Sequence, residues 1–421
     1  MAKTLKIGLV GAGMFGGDVH LRTYCQVQQY GLIPWLGRLG LDSMARALGD
    51  IDVQFVALAT HTEKTGKAKL AEYQPQGLDF ATYHGETPWV DLLADFPDLD
   101  ILAVSTPDHL HTPPILAALE KGVHVITEKP MALDANECDA IIAASESAGR
   151  LVAVDMHKRY DPDHLRIRDD ISKRIGKPLY GRAVLEEPLN VSTNVFRKWA
   201  EKSDPFSYVG CHWTDLFIAY YDVKPVSLYA IGQKVKLREE YGMDAYDAVQ
   251  VKVTFSNGMS IDFINSWIIP DEFEAPVNQE SQIFGTHGVV ESDSQYRGLR
   301  YTAAGEGTQT RNSHFTRDVK REDGSHAYVG YGVDSLVACI EKVAEMKFLG
   351  KSLTDIAGTY PDARQARLST LIIHGAREVM KRNTQYLEEG KGAPVTACFG
   401  ENGLIIYDPF QGPETIYHLA V

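Results

Sequence analysis

From Leu5 to His157 the chain alternates between short apolar runs and amphipathic stretches, and this alternation limits its fold more than any single motif. The runs LKIGLV, DVQFVALATH, LDILAVST, VHVITEK and LVAVDMH are separated by helix-like segments such as EKTGKAKLAEY, PWVDLLADF, PPILAALEKG and DANECDAIIAASESAG. Strand, helix and strand in succession force right-handed crossovers, so the pattern predicts a parallel sheet covered on both faces. Asp134 is expected to cap the last of these helices, with Gly149 ending it and Gly122 ending the one before. The insertion QVQQYGLIPWLGRLGLDSMARALGD delays the second strand and reads as extra helix.

Past His157 the pattern changes. PLYGRAVLEEP, PVSLYAIGQKVKL, AVQVKVTFSNGMSIDFINSW, SQIFGTHGVVESD and LRYTAAG read as strands separated by turns, with a hairpin signal at Ser256-Asn257-Gly258. Helices return at CHWTDLFIAYY, GVDSLVACIEKVAEM and YPDARQARLSTLIIHGAREVMKRN. At 421 residues the chain is too long for one ordinary core. The expected architecture is an α/β Rossmann domain with a parallel sheet over residues 1–157, then an α+β domain with an open, mostly antiparallel sheet over residues 158–421.

A formal charge of −14 argues against nucleic-acid or anionic-membrane partners, because phosphates would be repelled by most of the exterior. Five scattered cysteines with no C-x-x-C pair indicate neither a zinc knuckle nor a disulfide framework, and fit a reducing cytoplasm. No Asp, His or Cys set has metal spacing, so no metal is expected. No run approaches the ~20 apolar residues of a membrane span, nor does the N-terminus read as a signal peptide.

Gly11-Ala12-Gly13-Met14-Phe15-Gly16 matches G-x-G-x-x-G directly between a strand and a helix. There the first glycine permits a tight turn, the second admits a pyrophosphate to the backbone, and the third lets helix and strand pack closely. The cofactor expected is NAD or NADP. The acidic residue that would bond the ribose after the second strand is missing; Thr60, His61 and Thr62 stand there, with Lys64 nearby. Hydroxyls, an imidazole and a cation suit a 2′-phosphate at least as well as a bare ribose. The alternative is that Asp50 or Glu63 is the ribose partner through a different register.

In an open parallel sheet the ligand crevice lies beyond the carboxyl ends of the strands. Ser105, Thr106 and Pro107 after one strand, and Glu128 and Lys129 after the next, therefore point toward the nucleotide. A lysine beside a cationic nicotinamide in a half-dry crevice gives up its proton more readily, which suits the proton that must leave an alcohol as hydride departs. The plainer fate of a Glu-Lys dipeptide is a surface ion pair at a strand terminus.

VGAGMFG, STPDHLHTPPILAALEKGVHVITEKPMAL, KRYDP and GCHWTDL together resemble the glucose-fructose oxidoreductase, inositol dehydrogenase and rhizopine-catabolism (Gfo/Idh/MocA) family. The likeness is close over the first domain and looser over the second. The resemblance implies a Rossmann domain joined to a domain that often mediates homodimers or homotetramers. It also implies that Lys129 is the catalytic lysine, that Pro130 follows a cis peptide, and that His212 is the second-domain catalytic histidine. Read alone, a His before WTDLFIAYY is more often a packed helix residue. The family's aspartate four residues before this histidine is replaced by Tyr208, which either hydrogen-bonds a sugar and shares proton transfer or only packs.

Further lining candidates are Asp108, His109 and His111 beside the cofactor, and His157, Arg159 and Trp213 beside the substrate. Trp199 is another, although buried core is the commoner fate of either tryptophan. The expected reaction is hydride transfer between nicotinamide and a secondary hydroxyl of a sugar, glycoside or cyclic polyol. Arg159 and Arg197 leave a carboxylate or phosphate substrate open. Two other readings stay open: an enzyme that keeps its nucleotide bound and oxidises only transiently, and a ligand-sensing regulator on the same fold.

Overall fold

A computed structural model describes residues 3–400 and 403–418, and the side chains of 170 and 172 are not described. Two compact units emerge, each discontinuous in sequence. The first comprises Met1–Ala132, Glu137–Asp161 and His314–Ala366, and the second Leu133–Asn136, Pro162–Ser313 and Arg367–Val421. A single cut at His157 follows the change of pattern, but residues 314–366 go with the first unit. The reason is apolar burial: Val333, Leu336, Val337, Ile340 and Val343 of the Tyr331–Leu349 helix join one core with Leu5, Ile7 and Leu9. Each such side chain contributes about 1.5–3 kcal/mol on leaving water, more than the chain's order along the sequence can offset.

In the first unit, β1 (Thr4–Val10), β2 (Asp52–Thr60), β3 (Ala81–His84), β4 (Ile101–Val104), β5 (His124–Thr127) and β6 (Val152–Val154) pair in the order β3-β2-β1-β4-β5-β6. Every pairing is parallel. β4, β5 and β6 are buried at every position, as a strand covered on both faces requires. The strand order reverses between β1 and β4, where Val10 lies opposite Val104. β3 carries no burial contrast and was not expected from the pattern. The long insertion forms helices Ile33–Arg38 and Asp42–Leu48, and Gly122 and Gly149 take positive φ where their helices stop.

The second unit is built on β7 (Pro178–Pro188), β8 (Pro225–Gln233), β9 (Ala248–Phe255), β10 (Ser260–Ile269), β11 (Asn278–Gly285), β12 (Gly288–Asp293), β13 (Thr396–Gly400), β14 (Gly403–Asp408) and β15 (Gly412–Tyr417). They form one sheet in the order β12-β11-β7-β10-β9-β8-β13-β14-β15. Only β7 and β10 pair in parallel among its described ladders. β9 alternates buried and solvent-facing residues, so one face of this sheet is packed. The hairpin at Ser256-Asn257-Gly258 forms as expected, with Gly258 at φ +85°. Among the described residues no helix is long and apolar enough to cross a membrane.

Candidate active site

In the first unit the glycine turn sits where the strand order reverses. Gly11 has φ +94°, and a Cβ there would lie 2.2 Å from the Ser105 carbonyl oxygen. A Cβ on Gly16 would lie 2.5 Å from the Gly11 carbonyl oxygen. Both positions exclude any side chain, which brings the turn against the end of β4 and Ser105. Gly13 is different: a Cβ there meets nothing within 4 Å, so its backbone faces open space. That is the surface a pyrophosphate needs, and these residues fit a dinucleotide. The chain then winds through a π-type turn, Gly16–His20, into the helix Leu21–Tyr30.

Other expected cofactor residues divide. Met14 is exposed beside the turn. Phe15 instead stacks on His157, with ring centroids 5.2 Å apart, and packs near Phe315. His157 also stacks on Tyr331; burial first, then Lys158 and Lys129, holds its imidazole well below the usual range. At the end of β2 the Thr60 hydroxyl donates to the Thr62 carbonyl, and the Thr62 hydroxyl caps the helix Glu63–Tyr73. His61 is exposed there. Asp50 precedes β2, at the amino end of the strand, so it stands at the wrong edge for a ribose; Glu63 pairs with Lys67 at 2.7 Å.

Past β4, Ser105, Thr106, Pro107 and His109 are partly accessible, whereas Asp108 and His111 are buried. His111 approaches the Pro130 carbonyl through Nδ1 (2.8 Å) and the Thr106 carbonyl through Nε2 (2.9 Å). Both ring nitrogens thus lie against backbone carbonyls, and the residue joins the two loops. Glu128 and Lys129 follow β5, both nearly buried, and the Lys129–Pro130 peptide is cis. A surface ion pair is therefore not their arrangement. Arg159 donates to Gln365 Oε1 at 2.5 Å.

Sequence reasoning missed two residues here. His20 Nε2 lies 2.8 Å from Glu128 Oε1, and Asp155 is fully buried just after β6. The strand-end rule that selected Glu128 points equally to Asp155. His20 offered no such signal, since nothing in the sequence relates it to β5.

In the second unit, the turn Phe206–Gly210 leads into the helix Cys211–Tyr221, whose second residue is His212, 6% exposed. Gly210 allows the tight entry: a Cβ would lie 2.5 Å from the Phe206 ring. Tyr208 packs its ring among Phe196 (4.6 Å), Trp199 (5.6 Å) and Trp267 (6.4 Å) while staying partly accessible. Trp213 is fully buried, donates its indole N–H to the Val184 carbonyl at 2.9 Å, and meets His164 edge-on. It belongs to the buried core of this unit. Glu187, buried on β7, accepts from the Trp267 indole and was not foreseen.

A doubly wound parallel sheet with this glycine turn at its switch point defines a dinucleotide-binding protein. Residues 5–156 match the model of an oxidoreductase family with an NAD-binding Rossmann fold, residues 166–291 match the GFO/IDH/MocA C-terminal domain, and the chain belongs to the GFO/IDH/MocA family. It is 29% identical over 178 residues to inositol 2-dehydrogenase of Salmonella paratyphi B, covering 42% of this chain and 44% of that protein. The chain thus spans less than half the length of that relative. D-glucoside 3-dehydrogenase of Escherichia coli is 26% identical over 289 residues, covering 66% of this chain and 72% of the relative. The crystal structure of myo-inositol 2-dehydrogenase from Lactobacillus plantarum shares the fold, with a TM-score of 0.66 over 91% of this chain and 98% of that one at 16% identity.

Proposed function

We propose that this protein is a nicotinamide-dependent dehydrogenase acting on a secondary hydroxyl of a sugar, glycoside or cyclic polyol. The observation that carries the reading is the nearly buried Lys129 at the carboxyl end of β5, in the same sheet whose β1 ends in the glycine turn. An amine sequestered there has a task that a solvated lysine does not. The names of the relatives, inositol and glucoside dehydrogenases, support the substrate class.

When bound, NAD or NADP supplies the hydride acceptor at nicotinamide C4. Gly11, Gly13 and Gly16 hold its pyrophosphate against backbone. Lys129 takes the hydroxyl proton through Nζ during oxidation and returns it during reduction. His212 orients or shares that proton, and Tyr208 offers its phenolic oxygen to a ring hydroxyl. Assembly as a homodimer or homotetramer belongs to the same proposal and is read by light scattering. Purified protein mixed with NAD or NADP and a panel of inositols, monosaccharides and glycosides should form reduced nicotinamide with at least one polyol. Nucleotide binding without reduction by any of them would instead favour a ligand-sensing role.

A further inference from the structure

Beneath the E-K-P turn lies a cluster that the proposed chemistry leaves unused. A nitrogen of His20 and one carboxylate oxygen each from Glu128 and Asp155 lie within 4.8 Å of one another. The three residues are 0%, 5% and 0% exposed. Two acids this close and this dry repel each other strongly if both are ionised.

The hydrogen bonds say which acid is stabilised as an anion. His20 Nδ1 lies 2.9 Å from the Tyr24 hydroxyl, which burial keeps protonated. His20 Nε2 lies 2.8 Å from Glu128 Oε1, and with its proton on Nε2 the ring donates to that oxygen while Nδ1 accepts from Tyr24. The Lys129 amide donates to Glu128 Oε2 at 3.3 Å. Glu128 therefore has two donors. Asp155 has both Glu128 and the Ser335 hydroxyl within hydrogen-bonding reach, although neither of its oxygens makes a bond of full geometry and Ser335 also donates to the Gly332 carbonyl.

Tyr160, in the turn His157–Tyr160 after β6, faces Asp155 from its own segment, and the other facing groups come from three further elements. His20 and Tyr24 lie on the first helix segment, Glu128 and Lys129 at the end of β5, and Ser335 and Cys339 on the Tyr331–Leu349 helix. Burial, and after it Glu128, pushes the Asp155 carboxyl well above its ordinary range.

We infer that Asp155 carries a proton at neutral pH and shares it with Glu128, so that Lys129 stands beside one buried negative charge and not two. This deepens the proposed role of Lys129 and rests on that reading for its consequence. A second charge would hold the lysine as ammonium and weaken it as a base. Asp155 is thus a positioning residue, acting through the charge that Lys129 meets.

Infrared spectroscopy of the full chain tests the proton count without turnover. Glu341, also buried and with its carboxyl pushed up to about 8, gives its own protonated-carboxyl stretch, so the reading is the difference spectrum: wild type minus Asp155→Asn, which keeps the side-chain shape, should show one sealed, protonated carboxyl near neutral pH. His20→Leu deletes a donor to Glu128, so the band should persist to a pH higher by about one unit. A difference spectrum without that band, the carboxyl signal being the same in wild type and Asp155→Asn, overturns the inference. So does stoichiometric zinc or manganese in the purified protein with a band that appears only after chelation. If the band behaves as expected while Lys129→Ala keeps full alcohol-dependent activity, the catalytic assignment fails and the shared proton stands.

Discussion

His111 Nδ1 lies 2.8 Å from the carbonyl oxygen of Pro130, the residue that follows Lys129. The ring's other nitrogen holds Thr106, so one buried imidazole joins the loop after β4 to the turn after β5. His111→Ala should therefore cost about 2–4 kcal/mol by opening a cavity and removing the carbonyl's ring donor, and should lower kcat more than it weakens nucleotide binding. Chemical denaturation with single-turnover kinetics measures both. A destabilised variant with wild-type kcat would show that the strut serves only the fold.

The glycine turn yields a contrasting pair of variants. Gly11→Ala places a methyl group on the Ser105 carbonyl at positive φ, so it should destabilise by more than the about 1–2 kcal/mol of the backbone alone. Gly13→Ala meets no protein atom within 4 Å, so its melting should change by less than about 0.5 kcal/mol while nucleotide affinity falls. Thermal melts paired with nucleotide titration separate the two; unchanged affinity in Gly13→Ala would place the pyrophosphate elsewhere.

Lys129→Ala should lower alcohol-dependent reduction by about 10²–10⁴-fold with nucleotide Kd nearly unchanged. Lys129→Arg should not restore the rate, because a guanidinium does not release its proton in the working range. Stopped-flow absorbance of the reduced nicotinamide reports both. Wild-type rates in either variant would remove the amine from the chemistry.

At Tyr208 the ring and the hydroxyl can be tested apart. The contacts with Phe196, Trp199 and Trp267 predict that Tyr208→Ala loses about 3 kcal/mol of stability, and that Tyr208→Phe loses almost none. If the hydroxyl binds a sugar, Tyr208→Phe lowers kcat/KM by about tenfold. No kinetic change would return the residue to packing.

His124 gives the fold an acid-side weakness. Burial, followed by Arg150 and Lys347, lowers its pKa from 6.5 to about 4, and its Nδ1 accepts from the Leu151 amide at 3.0 Å. The folded state resists protonation here and the unfolded state does not. The contribution is therefore intact above pH 6.5 and is lost as pH falls toward about 4, by about 3 kcal/mol. Denaturation midpoints across that window should fall less steeply in His124→Asn, whose side-chain carbonyl still accepts the amide. Parallel slopes would sink the assignment.

Most of the first unit was legible because a strand covered on both faces must read as an unbroken apolar run, and β4, β5 and β6 do. β3 escaped because its residues are only partly covered and carry no such contrast. The strands β13 to β15 were likewise missed, lying after a long helix where no further sheet was sought. Glycine spacing located the turn correctly, since positive φ and close approach leave a chemical trace in the sequence. The surroundings of Trp213 and His111 left no such trace. An indole or imidazole looks the same in sequence whether it lines a cleft or spends its nitrogens on buried carbonyls.

The helix Tyr331–Leu349 closes the core that β1 begins. A ribosome releasing this chain from its amino end has therefore emitted residues 162–313 before the nucleotide-binding half owns all of its interior. Until then the sheet's apolar face lacks part of its cover. Nascent fragments that stop short of this helix should be chaperone clients and protease substrates, however complete their glycine turn.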